Sequence, residues 1–326
     1  GNHAVVIGRE AGLSNTADNT VIIGSMAARQ GNSASAHTSI GYEAGYSNTS
    51  GTQNTNLGYQ AGYANTTSGY RTMIGYEAGE NHTGSFSTGI GVDALTSGSG
   101  SLNVAVGSNS MKSNNGSRSV AIGHQAMQGC TGADDCVAIG QSALQSSSAG
   151  DFNVAVGANS LQNCTSTNNT AIGYQAGNAI TTGVQNTAVG QGSLASATSA
   201  FGFVAIGQGA LGSSTSSNSY NTAVGTGALG VASGGNNIAM GAFAAAGGLG
   251  GGISSGNNNT VVGTYAANDF NYTGNNNTMI GYDAEGTAAG ASNEFTLGNS
   301  SIATLRCQQT SITALSDQRD KTDIET

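Results

Sequence analysis

Four cysteines and four histidines are the residues of this 326-residue chain best equipped for metal or redox chemistry, and their spacing suits neither. Cys130, Cys136, Cys164 and Cys307 contain no C-x-x-C pair, so a zinc site is not indicated. Cys130 and Cys136 bracket the loop CTGADDC, where they could close a local disulfide or remain buried thiols. His3, His37, His82 and His124 are scattered and suggest no metal cluster. Asp134 and Asp135 could bind Ca²⁺ together with loop carbonyls, but a solvated acidic turn is the simpler reading. Glycoside hydrolysis needs two carboxylates facing one another across the bond to be cut. Glu43, Glu77, Asp93 and Asp283 recur at one point of a repeat, but without partners at a defined register. Strings resembling G-x-G-x-x-G arise from composition and follow no strand–helix pattern, so no cofactor is expected. Asn-x-Ser/Thr sequons at Asn65 and Asn81 are what chance gives in so Asn-, Ser- and Thr-rich a chain.

The elements that must position these residues are unusual. The chain has 53 glycines, no proline and no tryptophan, and only 8% of its residues are charged. That charge content is about a third of the ordinary globular value. The eight Lys and Arg never cluster, which excludes the basic patches that neutralise nucleic-acid phosphates. The net charge of −9 is spread thinly along the chain. No run of 18 apolar residues exists, so no transmembrane helix and no membrane insertion are expected, and no signal peptide is visible. The chain opens at Gly1 inside a repeat, as a slice of a longer polypeptide would.

That repeat dominates the sequence. Taking the glycine of each aliphatic-Gly pair as an anchor gives 18 copies, Gly8, 24, 41, 58, 75, 91, 107, 123, 140, 157, 173, 190, 207, 225, 241, 263, 281 and 298. They recur about every 17 residues, and only the 22-residue step from Gly241 to Gly263 departs strongly. The residue before each anchor is Ile, Val, Leu or Met, and the residue three before is β-branched in all copies but one, where it is Phe295. Side chains alternate along a strand, so these two positions share one face of a short strand of about five residues, as in NTAIG. Three after the anchor every copy is Ala or Ser, which implies close approach of another backbone. Nine copies carry Asn four before the anchor, where stacked coils could build an Asn ladder. Tyr42, Tyr59 and Tyr76 follow the anchors of three successive coils, with Tyr174 and Tyr282 in the same column. They could stack sugars, but aromatic stacking on the edge of a roll is the plainer expectation.

The predicted architecture is all-β: a parallel β-roll or β-solenoid of about 18 coils, each with two short strands and two turns. At about 4.8 Å per coil it would be a rod roughly 85 Å long. Each coil supplies too few large apolar groups to offset the entropy of ordering it, so association is expected, most simply a homotrimer about the long axis. The insertion AAAGGLGGGISSG (244–256) is expected to bulge from the rod.

The repeats NTAIGYQAG (169–177) and NTAVGQGSL (186–194) resemble the head repeats of trimeric autotransporter adhesins, a likeness covering about residues 4–302. Those heads are left-handed parallel β-rolls with three chains around one axis, and similar repeats occur in phage tail fibres. Their repeat is usually shorter, which implies longer turns here. The pattern changes after Ile302, where SIATL (301–305) recurs as SITAL (311–315) and reads as strands or a neck.

The segment SDQRDKTDIE (316–325) is on its face a solvated charged tail. It also resembles the start of the self-cleaving intramolecular chaperone domain of phage tail spikes and fibres, whose Ser-Asp-x-Arg-x-Lys pattern falls on Ser316, Asp317, Arg319 and Lys321. The resemblance implies that Ser316 is the nucleophile and Lys321 its general base, since a desolvated lysine can activate a serine without histidine. It implies one cut beside Ser316 that releases the chaperone once the trimer has formed. The family's domain needs about a hundred residues or more, so this chain by itself is expected to be inert. The expected organisation is a repeat shaft over 1–302, a β-rich neck over 303–315 and the beginning of a chaperone domain over 316–326. In a three-fold assembly Cys307 would approach its two copies.

These readings favour a structural and adhesive protein, a trimeric viral tail fibre outside the cell whose partners are its own copies and a host surface glycan or protein. A cell-surface trimeric adhesin or an extracellular self-assembling filament is the alternative, and the adhesin would need a membrane-anchor barrel. An ice-binding solenoid needs a regular Thr array, whereas the column three before the anchor mixes Thr with Val.

Overall fold

A computed structural model describes residues 3–306, apart from 31–32, 34, 147–149, 216–219 and 248–251. It is a parallel β-solenoid. Eighteen short strands, from Ala4–Ile7 to Phe295–Leu297, form one parallel sheet in which each pairs with the strand of the coil before and after it. The register holds column by column: Ile74 lies beside Ile90, then Val106, Ile122, Ile139, Val156 and Ile172. Most strands are three residues long rather than five.

The expected second strand forms in few coils. Asn81–His82 pairs with Ser97–Gly98, and Gly252–Ile253 with Asn271–Tyr272. Elsewhere single backbone hydrogen bonds link the coils, such as Leu144 N to Ser160 O at 3.1 Å and Thr165 N to Thr181 O at 2.9 Å. Turns rich in Ser, Thr and Gly lack the β-branched runs that would extend these contacts into ladders. The flank of the insertion that the structure describes is anchored rather than bulged: Ala244, Ala245 and Ile253 are buried.

The alternation of the strand resolves in one sense only. The residue two before the anchor points into the lumen, and Ala105, Ala121, Ala138, Ala155 and Ala171 have no exposed surface. The larger side chains on either side of it point out. Ile122, Ile139 and Ile172 remain 40%, 38% and 42% exposed. The lumen is too narrow for two columns of branched side chains, so the strand's bulk faces outward.

Most of the lumen's volume comes from the residue four after the anchor. There Leu95, Met111, Met127, Leu144, Leu161, Leu194, Leu211 and Leu229 are fully buried, each in the left-handed backbone region with φ between 45° and 53°. A side chain with Cβ adopts that region at a cost of about 1 kcal/mol, and burying a Leu or Met recovers more. Where this position is glycine, another residue fills the space. Met73 reaches towards Gly79, Asn56 towards Gly62, and Ile180 with Leu161 towards Gly177.

The anchor glycines fix the stacking. Gly123 has φ +135°, and a Cβ built there would lie 2.6 Å from the carbonyl oxygen of Gly140, the anchor of the next coil. Gly123 N also donates to Val106 O at 2.8 Å. Any side chain at an anchor would therefore both strain the backbone and push two coils apart. Gly123→Ala is expected to lower stability by about 2–4 kcal/mol in denaturant unfolding. Gly132→Ala, at a glycine with ordinary φ and open space around its Cβ position, should change it by less than about 0.5 kcal/mol.

Candidate functional site

Three sets of side chains stand out on this scaffold: an inner polar ladder, an outer aromatic and charged surface, and the outer aliphatic face of the sheet. The inner ladder runs through the position four before the anchor. Asn153 Nδ2 donates to Gly150 O at 3.0 Å and Ser166 O at 2.7 Å, while its Oδ1 accepts from Asn169 N at 2.9 Å. Asn169 and Asn186 repeat the pattern. The expected ladder is present, but most of its bonds run from side chain to the backbone of the next coil. Direct amide-to-amide bonds occur at Asn186–Asn169 (3.0 Å) and Asn259–Asn237 (3.2 Å).

Cys136 stands in this ladder. Its amide donates to Ser119 Oγ at 3.1 Å, its thiol donates to Gly150 O at 3.2 Å, and its sulfur accepts from Asn153 N at 3.5 Å. The thiol thus takes the place of an Asn amide, and burial pushes its pKa up to about 11. Cys130 belongs to another inward column and donates to Leu144 O at 3.2 Å. The disulfide between Cys130 and Cys136 that the sequence allowed is absent, and Cys164 is also a free buried thiol. The sulfurs of Cys130 and Cys136 reach carbonyls of the neighbouring coil rather than one another across the loop, and that of Cys164 lies against Ser166 of its own turn.

On the outside, Asp134 and Asp135 close on Arg118. Its Nε and Nη2 bond the two Asp135 oxygens at 2.7 and 2.9 Å, and Nη2 also reaches Asp134 Oδ2 at 3.0 Å. The guanidinium supplies the positive charge a cation would have brought, and it holds the Asp135 carboxyl below its usual range. Asp93 likewise pairs with Lys112 at 2.8 Å, and Glu10 with Arg29 at 2.7 Å. Such exposed pairs are weak, because water and salt screen them; they tie one coil to the next.

The tyrosine column stacks on itself. Tyr42–Tyr59 and Tyr59–Tyr76 have centroids 5.3 and 5.0 Å apart with interplanar angles of 13° and 7°, and Tyr46–Tyr63 forms a second stack at 5.0 Å. A pyranose binds the open face of a ring, and here the inner faces are covered by neighbouring rings. Tyr282 meets Tyr265 edge-on.

Sequence spacing did not reveal that Asp283 comes together with Asp269 and Glu285, their carboxylate oxygens within 4.8 Å of one another. Asp269 and Glu285 belong to adjacent coils, and Glu285 stands four after its anchor, in the column that elsewhere mostly holds Leu, Met or Gly. Both Glu285 oxygens are already engaged, accepting from Asn268 N (2.7 Å), Asp269 N (3.1 Å) and the Tyr272 hydroxyl (2.5 Å). Burial pushes this carboxyl above its usual range. Its evident work is to hold the turn.

The third set is the aliphatic face. One column, immediately before the anchors, runs from Ile7 to Leu297 in register, and a Thr/Val column, three before, runs parallel to it. In the column before the anchors ten members, among them Ile90, Ile122 and Leu297, are exposed and the other eight are half-buried. Ser316, Asp317, Arg319 and Lys321, with Cys307 and the segment 311–315, lie outside the described residues. Residues 302–306, part of the segment read as a strand or a neck, are exposed and form no strand in the single chain. No helix of the described residues is long and apolar enough to cross a membrane. Comparison of the chain with protein-family models and with curated proteins gives no match.

The ladder makes two predictions. At pH 8, Cys130, Cys136 and Cys164 are expected to resist iodoacetamide in the native protein and to react after denaturation, as read by peptide mass mapping; a Cys130–Cys136 cross-linked peptide would contradict the structure. Asn153→Ala leaves a buried backbone amide and two carbonyls without their partner, and should cost about 2–3 kcal/mol in unfolding experiments.

Proposed function

We propose that this chain is a structural element, the shaft of a trimeric extracellular fibre that projects from a virion and attaches to a host surface. The observation that carries the reading is the outward aliphatic face. An isolated rod would leave a row of Ile, Val, Leu and Met in water along its whole length, and apolar patches of that extent mark interaction surfaces. Eighteen rungs at about 4.8 Å, with a width of about 10 Å, amount to roughly 900 Å² per chain, comparable with one partner's share of a standard protein interface.

The occupant of such a face must match its period. Parallel copies of the same chain present the same aliphatic row at the same spacing, so knobs and gaps interleave over every coil. A closed three-fold arrangement, the one implied by the likeness to adhesin heads, covers the face of each copy and leaves none open to further growth. The low charge and the absence of basic clusters suit a rod that neither binds nucleic acid nor depends on salt.

Maturation by one cut beside Ser316, with Lys321 as general base, belongs to the same proposal and rests on the resemblance of residues 316–321. The host partner is a surface glycan or protein. The exposed Tyr edges and loops are the surfaces available to it once the aliphatic face is covered.

Sedimentation equilibrium tests the assembly. The wild-type chain is expected at three times the chain mass. Replacing Ile122, Ile139 and Ile172 together by Asp should shift it to monomer, because the interface would then have to bury three unpaired carboxylates. A wild-type chain that stays monomeric at tens of micromolar would overturn the trimer, and with it the fibre.

A further inference from the structure

One member of the inner ladder is a fully buried guanidinium. Arg71 occupies the position four before its anchor, where most other coils carry Asn, Ser or Cys. Its backbone amide follows the rule and donates to Asn54 Oδ1 at 3.1 Å. Its side chain does not. It is 1% exposed, inside the lumen, and its only hydrogen bond is a long one from Nη2 to Gly79 O, 3.4 Å. Nε and Nη1 have no partner. None of the ion pairs among the described residues involves Arg71. The group stays charged at neutral pH: burial lowers its pKa only to about 10.

Two further orphans lie in the same stretch of lumen. His82 is fully buried and neither ring nitrogen has a partner. The charge of Arg71 acts on that ring, and together with burial pulls its pKa down to about 3, so the imidazole is neutral. The backbone of Gly98, close to the ring, pulls the other way. Asn114 is also fully buried; its Oδ1 accepts from Gly116 N at 2.8 Å, and its Nδ2 has no partner. His82 and Asn114 share one inward column, distinct from that of Arg71. His82 pairs in register with Gly98, and the bridge between Ser97 and Ser113 sets Gly98 beside Asn114. Gly98, the middle member, contributes no side chain.

The chemistry of the unmatched groups is one-sided. Arg71 offers only N–H, Asn114 Nδ2 offers only N–H, and a neutral His82 offers one N–H. A cation is repelled by Arg71. A buried charge without a counter-charge costs several kcal/mol, and folded proteins compensate it. Asn, Ser and Cys elsewhere in the ladder accept from the next coil, whereas Arg71 brings a donor. The missing component is a small acceptor with negative charge.

We propose that the lumen between Arg71, His82 and Asn114 is a buried anion site that takes a single halide ion, chloride in physiological media. His82 and Asn114 are two coils apart, roughly 9.6 Å at the usual strand spacing, so a single monatomic ion between them can meet donors from both sides. The coils close around it, so it is bound as the solenoid forms.

The wild-type chain, unfolded and refolded with bromide as the sole halide, would be crystallised and measured at the bromine absorption edge. An anomalous peak about 3.3 Å from the Arg71 guanidinium is expected, and none at that place in Arg71→Met. Melting provides a second reading that needs no crystal. With ionic strength held constant by sulfate, raising bromide from 1 to 100 mM should raise the wild-type midpoint by several degrees and leave Arg71→Met unmoved. A site holding only ordered water, with no anomalous signal, overturns the proposal, as does wild-type melting indifferent to halide. Both wild-type measurements stand even if the variant fails to fold.

Discussion

The backbone contact between consecutive anchor glycines governs this structure. The first 17 anchors sit at φ between +127° and +144°, each with the next anchor's backbone where its own Cβ would be. That single close approach sets the distance between coils, the register of the strands and therefore which side chains meet. The inner ladder depends on it directly. Asn153 reaches the amide of Asn169 and the carbonyl of Ser166 only because the coils are superposed residue on residue. The outer columns depend on it too, since Tyr42, Tyr59 and Tyr76 stack at about 5 Å because the rungs beneath them are at that spacing. Coil length is a secondary matter. The 22-residue step is absorbed while Ile238–Met240 still pairs with Thr260–Val262 in register.

Within that frame the interior is conserved in volume rather than in sequence. Seven coils combine Ala two before the anchor with Leu or Met four after it, as in Ala121 with Met127 or Ala138 with Leu144. Four combine a larger residue at the first position with glycine at the second, as in Met73 with Gly79, and Ala171 stands with Gly177 where Ile180 and Leu161 fill the gap. Close packing explains the exchange, since a narrow lumen tolerates neither two large groups nor two voids. The left-handed backbone at Leu and Met is the local cost of aiming that side chain inward.

Much of this was legible in the residues. The period gave the coils, the β-branched column the strands, and the invariant small column the tight turn after each anchor. The sense of the strand was not legible. Alternation defines two faces but does not say which one is inside, and the larger side chains, which would ordinarily mark the core, here mark the surface. The inward Leu/Met column was overlooked because it shares its position with Gly12, Gly45, Gly62, Gly79 and Gly177, so no single residue type identifies it. The fates of Cys130 and Cys136 were undetermined for a related reason: six residues of separation permit a loop disulfide, and only the stack shows that each sulfur has its partner in the next coil. Asp269 and Glu285, 16 residues apart, become neighbours through stacking alone.

The division between inside and outside also explains how so irregular a sequence could serve a regular assembly. Substitutions in the lumen compensate one another within a coil or two, and even a buried guanidinium at Arg71 is accommodated without displacing the strand that follows it, since Thr72–Ile74 keeps its pairing on both sides. The outward residues are tied to the anchors by one and three peptide units, too short a tether for interior changes to shift them. Any partner meeting the aliphatic face therefore encounters a lattice whose period is set by glycine contacts and whose chemistry is restricted to aliphatic and β-branched groups. The outer strand face keeps its aliphatic and β-branched pattern along 18 strands, while the lumen admits residues as different as Ala, Met, Asn and Ser at the position two before the anchor.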